Sequence, residues 1–227
     1  MNAPIKLTNL SILLSFAVCT CASPASPQRN ADLERRAPDA TNRWELNYST
    51  RTTLSANSAG QPAITFPAAA GSANMLTKPW TGSEPGMTLL VTVEVQTTGT
   101  PVFQLAQGPE PTCRTPPSTR PYLEAVGWTS MPPGYSSMRW WSRQGFIPLG
   151  AAGVFSIEIP LTPDRWSGVS GQFATQDASS VSWFNQIVTG RVASRAGLVF
   201  GGGCSYGHGL YVSGGSATLT VTQFEAR

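Results

Sequence analysis

The sequence predicts an all-β protein: a single antiparallel sandwich with one short helix and long proline- and glycine-rich loops. Three observations lead there. Several segments alternate apolar and polar residues with period two, the mark of half-buried strands. Turn signals such as "NSAGQP", "EPGM", "TGTP", "PPG" and "VSGG" separate them at the short spacing of a sandwich rather than of alternating helices and strands. Charged residues make up only 12% of the chain, while seven tryptophans are spread along it. So many aromatic residues with so little charge argue against disorder.

The elements follow in order. "RWELNY" sets Trp44, Leu46 and Tyr48 on one face and Arg43, Glu45 and Asn47 on the other. "LLVTVEVQ" turns Leu89, Val91, Val93 and Val95 one way and Thr92, Glu94 and Gln96 the other. Residues 107–121 hold five prolines and predict a long loop. In "FSIEIPL", Phe155, Ile157, Ile159 and Leu161 face inward, and Pro160 favours an edge strand or a strand end. "DASSVSWFNQIVTG" carries Val181, Phe184 and Val188 at helical spacing, with Asp177 or Ser179 as cap and Gly190 as stop. The last strand, "ATLTVTQF", alternates Leu219 and Val221 with threonines. No fixed-period repeat is visible, which argues against a propeller or solenoid.

The amino-terminal stretch reads as a secretory signal peptide over residues 1–25. Lys6 precedes an apolar run from Leu10 to Val18, too short to span a bilayer, and Thr20, Ala22, Ser23 and Ala25 supply small residues for cleavage. Lipidation at Cys19 or Cys21 is a second reading, with Val18 and Thr20 poor neighbours for it. Residues 26–40 then form a polar leader, either simply disordered or processed at Arg35–Arg36, and the domain is expected over 41–227. Residues 1–36 hold four of the fifteen basic and two of the twelve acidic residues, so the remainder carries a net charge of +1. That leaves no basic patch for nucleic acid, and no run of apolar residues long enough to insert in a membrane.

The order of segments runs from an opening aromatic strand through "PAITFP", "LTKPW", the long valine strand and "VFSIEIPL". It continues through the helix "SWFNQIV" into "AGLVF" and a closing "GSATLTVTQF". This order resembles the jelly-roll sandwiches of secreted carbohydrate-binding modules, over most of residues 43–225. The likeness is one of element order, with no diagnostic motif, and it transfers no binding residues. It implies a polysaccharide or cell-wall glycan as partner.

The stretch "GGGCSYGHG" at 201–209 resists the chemistries it superficially suggests. A phosphate loop needs a lysine followed by serine or threonine, and none follows. Zinc needs three or four ligands, yet His208 is the only histidine of the chain. A hydrolytic triad lacks its G-x-S-x-G elbow, and a copper oxygenase would need a second histidine. The stretch reads as a loop whose glycines supply positive φ. No acidic cluster points to calcium. Glu84, Glu94, Glu110, Glu124, Glu158, Asp164, Asp177 and Glu225 show no spacing that singles out a glycosidase pair. No cofactor or metal is implied.

Aromatic residues remain. "WTSMPPGYSSMRWWSRQGF" concentrates Trp128, Tyr135, Trp140, Trp141, Arg139, Arg143 and Gln144. On a strand, Met138 and Trp140 share one face, the core side. Arg139, Trp141 and Arg143 share the other, where an exposed indole between guanidinium groups would suit a sugar ring. The candidate ligand residues are therefore Trp141, Arg139, Arg143 and Tyr135, with Tyr206 and His208 of the glycine loop. The leading function is a secreted, non-catalytic glycan-binding module. The alternatives are an extracellular structural or interaction protein and a polysaccharide-active enzyme. Asn47, in the triplet "NYS", lies on the polar face of its strand and is a candidate for N-glycosylation.

Signal cleavage would leave Cys113 and Cys204 as an even pair in an oxidising compartment, which predicts a disulfide. Closing a loop of roughly 90 residues, it would contribute about 4–5 kcal/mol in the chain-entropy model. Non-reducing mass spectrometry of the secreted protein is expected to find the two peptides joined; two alkylatable thiols would refute the pairing.

Overall fold

Inward-facing side chains at every second position drive two sheets together. The computed structural model describes residues 43–108, 115–128, 137–143, 145–169, 171–202 and 205–227. The expected signal peptide and leader, Cys113, Cys204 and Tyr135 lie outside the described residues. Those that are described belong to one compact unit spanning Asp39–Arg227.

The strands are β1 (Glu45–Asn47), β2 (Thr53–Ala56), β3 (Pro62–Thr65), β4 (Met75–Trp80), β5 (Thr88–Leu105), β6 (Ser118–Ala125), β7 (Arg139–Ser142), β8 (Ile147–Pro148), β9 (Gly153–Pro160), β10 (Trp166–Ser167), β11 (Ser194–Gly202), β12 (Ser205–Tyr206) and β13 (Leu210–Ala226). A larger sheet runs β1-β4-β11-β6-β7-β10, with β12 added to β11 and β8 to β6. A smaller sheet runs β2-β3-β13-β5-β9. Every registered pair is antiparallel. The chain crosses between sheets at β1–β2, β3–β4, β4–β5, β5–β6, β8–β9, β9–β10 and β12–β13, the back-and-forth winding of a jelly-roll-like sandwich.

The alternation reads out as expected in the smaller sheet. Leu89, Val91, Val93 and Val95 of β5 are buried, and Leu219 and Val221 of β13 join them. β9, with Pro160 at its end, is an edge strand, where its missing N–H breaks no inner ladder. The larger sheet contributes Leu76, Leu123, Trp140, Ala196, Leu198 and Phe200. The core is heavily aromatic: Phe66 meets Phe103 and Phe200 edge-on at 5.0 and 5.4 Å.

One helix, α1 (Ala178–Val188), closes an end. Asp177 caps it as predicted, accepting from Ser180 N at 2.8 Å and from Ser180 Oγ at 3.0 Å. These bonds, the backbone one first, hold the Asp177 carboxyl below the usual carboxylate range. Phe184, Ile187 and Val188 are buried, and the Phe184 ring lies 6.0 Å from those of Trp140 and Trp166.

Four expectations are corrected. "TGTP" and "VSGG" are not turns: they face each other inside the continuous β5–β13 pair, where Gly215 is opposite Gly99. A register shift between Ser213 and Gly215, with Gly214 at φ +74°, makes this a bulge. A second bulge, between Val221 and Gln223, returns Phe224 to the core face. The end of the proline stretch is not loop but the start of β6. Pro121 fits there because β8 pairs only with Ser118 and Thr119 and β7 only with Tyr122 to Glu124, so its absent N–H falls between them. Tyr48 leaves the face of Trp44 and Leu46: at φ +56° it ends β1 and is 66% exposed.

Two substitutions test this packing. Trp140→Ala is expected to cost about 3–5 kcal/mol in chemical denaturation, the range for a buried tryptophan. Gly197 pairs across β11 with Thr77 on β4 and Tyr122 on β6. A Cβ there would overlap the Leu76 carbonyl oxygen and lie 2.7 Å from Thr77 Cα. Gly197→Ala is therefore expected to lower the melting temperature although it adds only a methyl; an unchanged value would mean that β4 and β11 are spaced more widely.

Candidate functional site

The tandem tryptophans alternate as the sequence predicts, but the face assigned to ligand is closed. Trp140 is fully buried between the sheets and Trp141, on the opposite face, is only 7% exposed. Trp141 packs in a second apolar cluster with Met75, Tyr122 and Val199, with Val169 against it. Its ring centroid is 5.1 Å from that of Tyr122. The indole Nε1 is buried and has no acceptor among the described residues.

Arg139 is buried beside it and belongs to a network rather than to a surface. Its Nε donates to Tyr122 Oη at 2.7 Å, and Tyr122 Oη donates to Glu124 Oε2 at 2.7 Å. Register explains the meeting: Arg139 is opposite Glu124, and Tyr122 is opposite Trp141. The guanidinium also lies 4.1 Å from the Trp128 ring and 5.1 Å from that of Trp141. Arg143 goes elsewhere and stacks on Phe173 at 3.7 Å. The expected platform of an exposed indole between two free guanidinium groups is therefore absent; each guanidinium has an aromatic partner.

The glycine stretch is strand in part rather than loop throughout: Gly201 and Gly202 end β11 and Ser205 and Tyr206 form β12, while the expected positive φ falls at Gly207 and Gly209. β12 folds back on β11, and Gly207 and Gly209, at φ +85° and +92°, both donate their N–H to the Phe200 carbonyl. Tyr206 is opposite Gly201, four residues along β11 from Gly197, or about 13 Å at a strand's rise. The loop is thus offset along the sheet from Trp141. His208 is exposed, and its carbonyl accepts from Ser72 Oγ at 3.4 Å.

Asn47 is not the exposed acceptor expected for glycosylation. It is half-buried, and its Nδ2, the atom a glycan would modify, donates to the buried Thr77 Oγ1 at 2.7 Å. The Ser49 hydroxyl of the same triplet accepts from Asn74 N at 2.9 Å.

An open cleft lies beside the carboxy-terminal end of α1, where β4, the segment 81–87 and β13 converge. Its volume is about 870 Å³, and Lys78, Trp80, Thr81, Ser83, Glu84, Thr189, Arg191 and Phe224 are among its lining. Its geometry follows from two glycines. A Cβ on Gly82 would lie 2.5 Å from Thr189 O, and one on Gly190 2.6 Å from Thr81 O, so the two backbones touch. The docked segment satisfies the helix end: Val188 O accepts from Ser83 N at 2.8 Å and from Trp80 Nε1 at 2.9 Å. On the other side Lys78 Nζ lies 5.3 Å from the Trp44 ring centroid and 5.5 Å from that of Phe224. Burial lowers the pKa of its ammonium from the ordinary lysine value. None of these cleft residues was among the ligand candidates from sequence, yet one signal was present: in "MLTKPW" a lysine occupies an inward position of an alternating strand.

The Tyr122 hydroxyl yields a pH prediction. Its pKa is raised well above the ordinary tyrosine value, by burial first and by the Glu124 charge second, with Arg139 opposing both. The unfolded chain gives up this proton near pH 10 and the folded chain only at higher pH. Stability from this group is therefore complete below about pH 10 and is lost as pH rises beyond it. Tyr122→Phe is expected to cost about 1–3 kcal/mol at neutral pH, since Arg139 and Glu124 lose their link. It should also flatten the decline of unfolding free energy above pH 10; an equally steep decline would remove Tyr122 as its source. No known protein-family model matches this chain, and comparison with curated proteins finds no significant match.

Proposed function

We propose that the protein is a secreted, non-catalytic carbohydrate-binding sandwich that takes a glycan in the cleft between β4 and β13. The observation that carries the reading is the composition of that cleft. A half-buried tryptophan, Trp80, stands among the hydroxyls of Thr81, Ser83 and Thr189 and the cations of Lys78 and Arg191. Sugars offer apolar C–H faces that stack on an indole and hydroxyl rims that bond to donors of this kind. A volume of about 870 Å³ suits a small-molecule or oligosaccharide ligand. The open form and the mixed polar lining favour a chain-like ligand over a small apolar one.

The test is a polysaccharide and oligosaccharide binding screen followed by calorimetry on variants. Trp80→Phe and Arg191→Ala are expected to weaken binding by about 1–3 kcal/mol, the range of anchor residues at binding sites. Arg143→Ala, stacked on Phe173 away from the cleft, should bind as the parent does. Failure to bind any glycan would move the extracellular interaction protein ahead. Loss on Arg143→Ala alone would place the ligand near that arginine instead.

A further inference from the structure

Lys78 occupies a position that packing alone would give to an apolar residue. β4 turns Leu76, Lys78 and Trp80 toward the smaller sheet. Across the larger sheet, the row through Lys78 continues with Ala196, Leu123 and Trp140, all fully buried. The lysine thus ends a core row at the point where the cleft opens. Its stem can lie along apolar neighbours while the ammonium reaches the opening. Two aromatic rings flank that ammonium, and its one hydrogen-bonded oxygen among the described residues is Phe224 O, at the long distance of 3.5 Å. An ammonium has three donors. Among the described residues no carboxylate lies within ion-pair distance of Lys78.

The cleft's own carboxylates do not supply the counter-charge. Glu84 is exposed. Glu225 follows the inward Phe224 on β13, alternates to the other face, and accepts from Gln223 Nε2 at 2.7 Å. An aromatic flank, a half-buried cation with no carboxylate partner among the described residues and an open cleft together fit an anionic group on the ligand. A compact ammonium receives an anion as a point charge, and a carboxylate is the smallest anionic group a sugar ring carries.

We infer that the cleft recognises an acidic glycan, with the Lys78 ammonium receiving a uronate carboxylate. The inference rests on the glycan-binding reading above and adds the charge of the ligand. Burial lowers the lysine's pKa, so its charge costs stability in the free protein, and a bound carboxylate would relieve that cost.

Calorimetric titration of the secreted protein with oligomers of galacturonate, glucuronate and mannuronate, each beside its methyl ester, separates the possibilities. The ester keeps the sugar and removes the charge. At least one acid is expected to bind tenfold or more tightly than its ester. Lys78→Met should abolish that preference, bringing the acid's affinity down to that of its ester, and raise the melting temperature. Lys78→Gln replaces it should the methionine variant fail to fold, and the acid–ester comparison on the parent protein needs no variant. Equal binding of acid and ester overturns the inference while leaving glycan binding in place. A preference that survives in the lysine variants also overturns it. If neither these oligomers nor any neutral glycan binds, the glycan reading itself fails and the inference falls with it.

Discussion

The pairing of β5 with β13 is the constraint on which the rest of the sandwich depends. These are the two longest strands, and they sit side by side in the middle of the smaller sheet. Their inner residues, from Leu89 to Val95 and from Leu210 to Phe224, form most of one wall of the core. Because side chains alternate with period two, a slip of one residue would turn that wall outward. The two bulges of this pair, one adding a residue to β5 and the other to β13, matter for this reason. Without the one near Thr222, Gln223 rather than Phe224 would face Trp44, whose ring meets Phe224 edge-on at 5.4 Å. The wall of the cleft and the aromatic surroundings of Lys78 thus depend on one inserted residue.

The larger sheet meets a different demand, because both of its faces bury side chains. Its inner face is ordinary core. Its outer face buries Tyr122, Glu124, Arg139 and Trp141 together. A buried carboxylate and guanidinium are costly to desolvate, and removing either would strand the other. Here the Tyr122 hydroxyl joins them by accepting from one and donating to the other, which uses both of its hydrogen-bonding capacities. The arrangement ties β6 to β7 by side chains as well as by backbone.

Strand periodicity made the inner faces legible and left the outer ones open to misreading. A period of two says that Trp140 and Trp141 face opposite ways, and they do; it does not say whether the second face meets water. Trp141 was therefore assigned to a ligand surface when it belongs to a second buried cluster. The same limit applies to Asn47, whose polar-face position concealed a bond to Thr77 from a neighbouring strand. Glycine-rich segments failed in another way. "TGTP" and "VSGG" carry the residues of turns, but the same positive φ serves a bulge, and only the pairing of β5 with β13 distinguishes the two. Asp177 and Gly190 were legible because a helix end is decided locally.

The cleft lay outside the reach of periodicity because it arises where two local patterns break. Lys78 interrupts the apolar side of β4, and Gly82 and Gly190 allow a backbone contact that no other residue pair would permit without displacement. Each break looks minor in sequence. A lysine in a strand is common, and a glycine after a helix is its usual stop. Their meaning comes from convergence across more than a hundred residues of chain: the segment after β4 lies against the end of α1, and Phe224 closes from the opposite sheet. A core built for stability alone would place an apolar side chain at the end of the Lys78 row and seal the opening. The sandwich instead keeps a cation there at a cost in desolvation. That departure from the packing rule followed elsewhere on the inner face is the physical ground for the proposal of a binding site in this cleft.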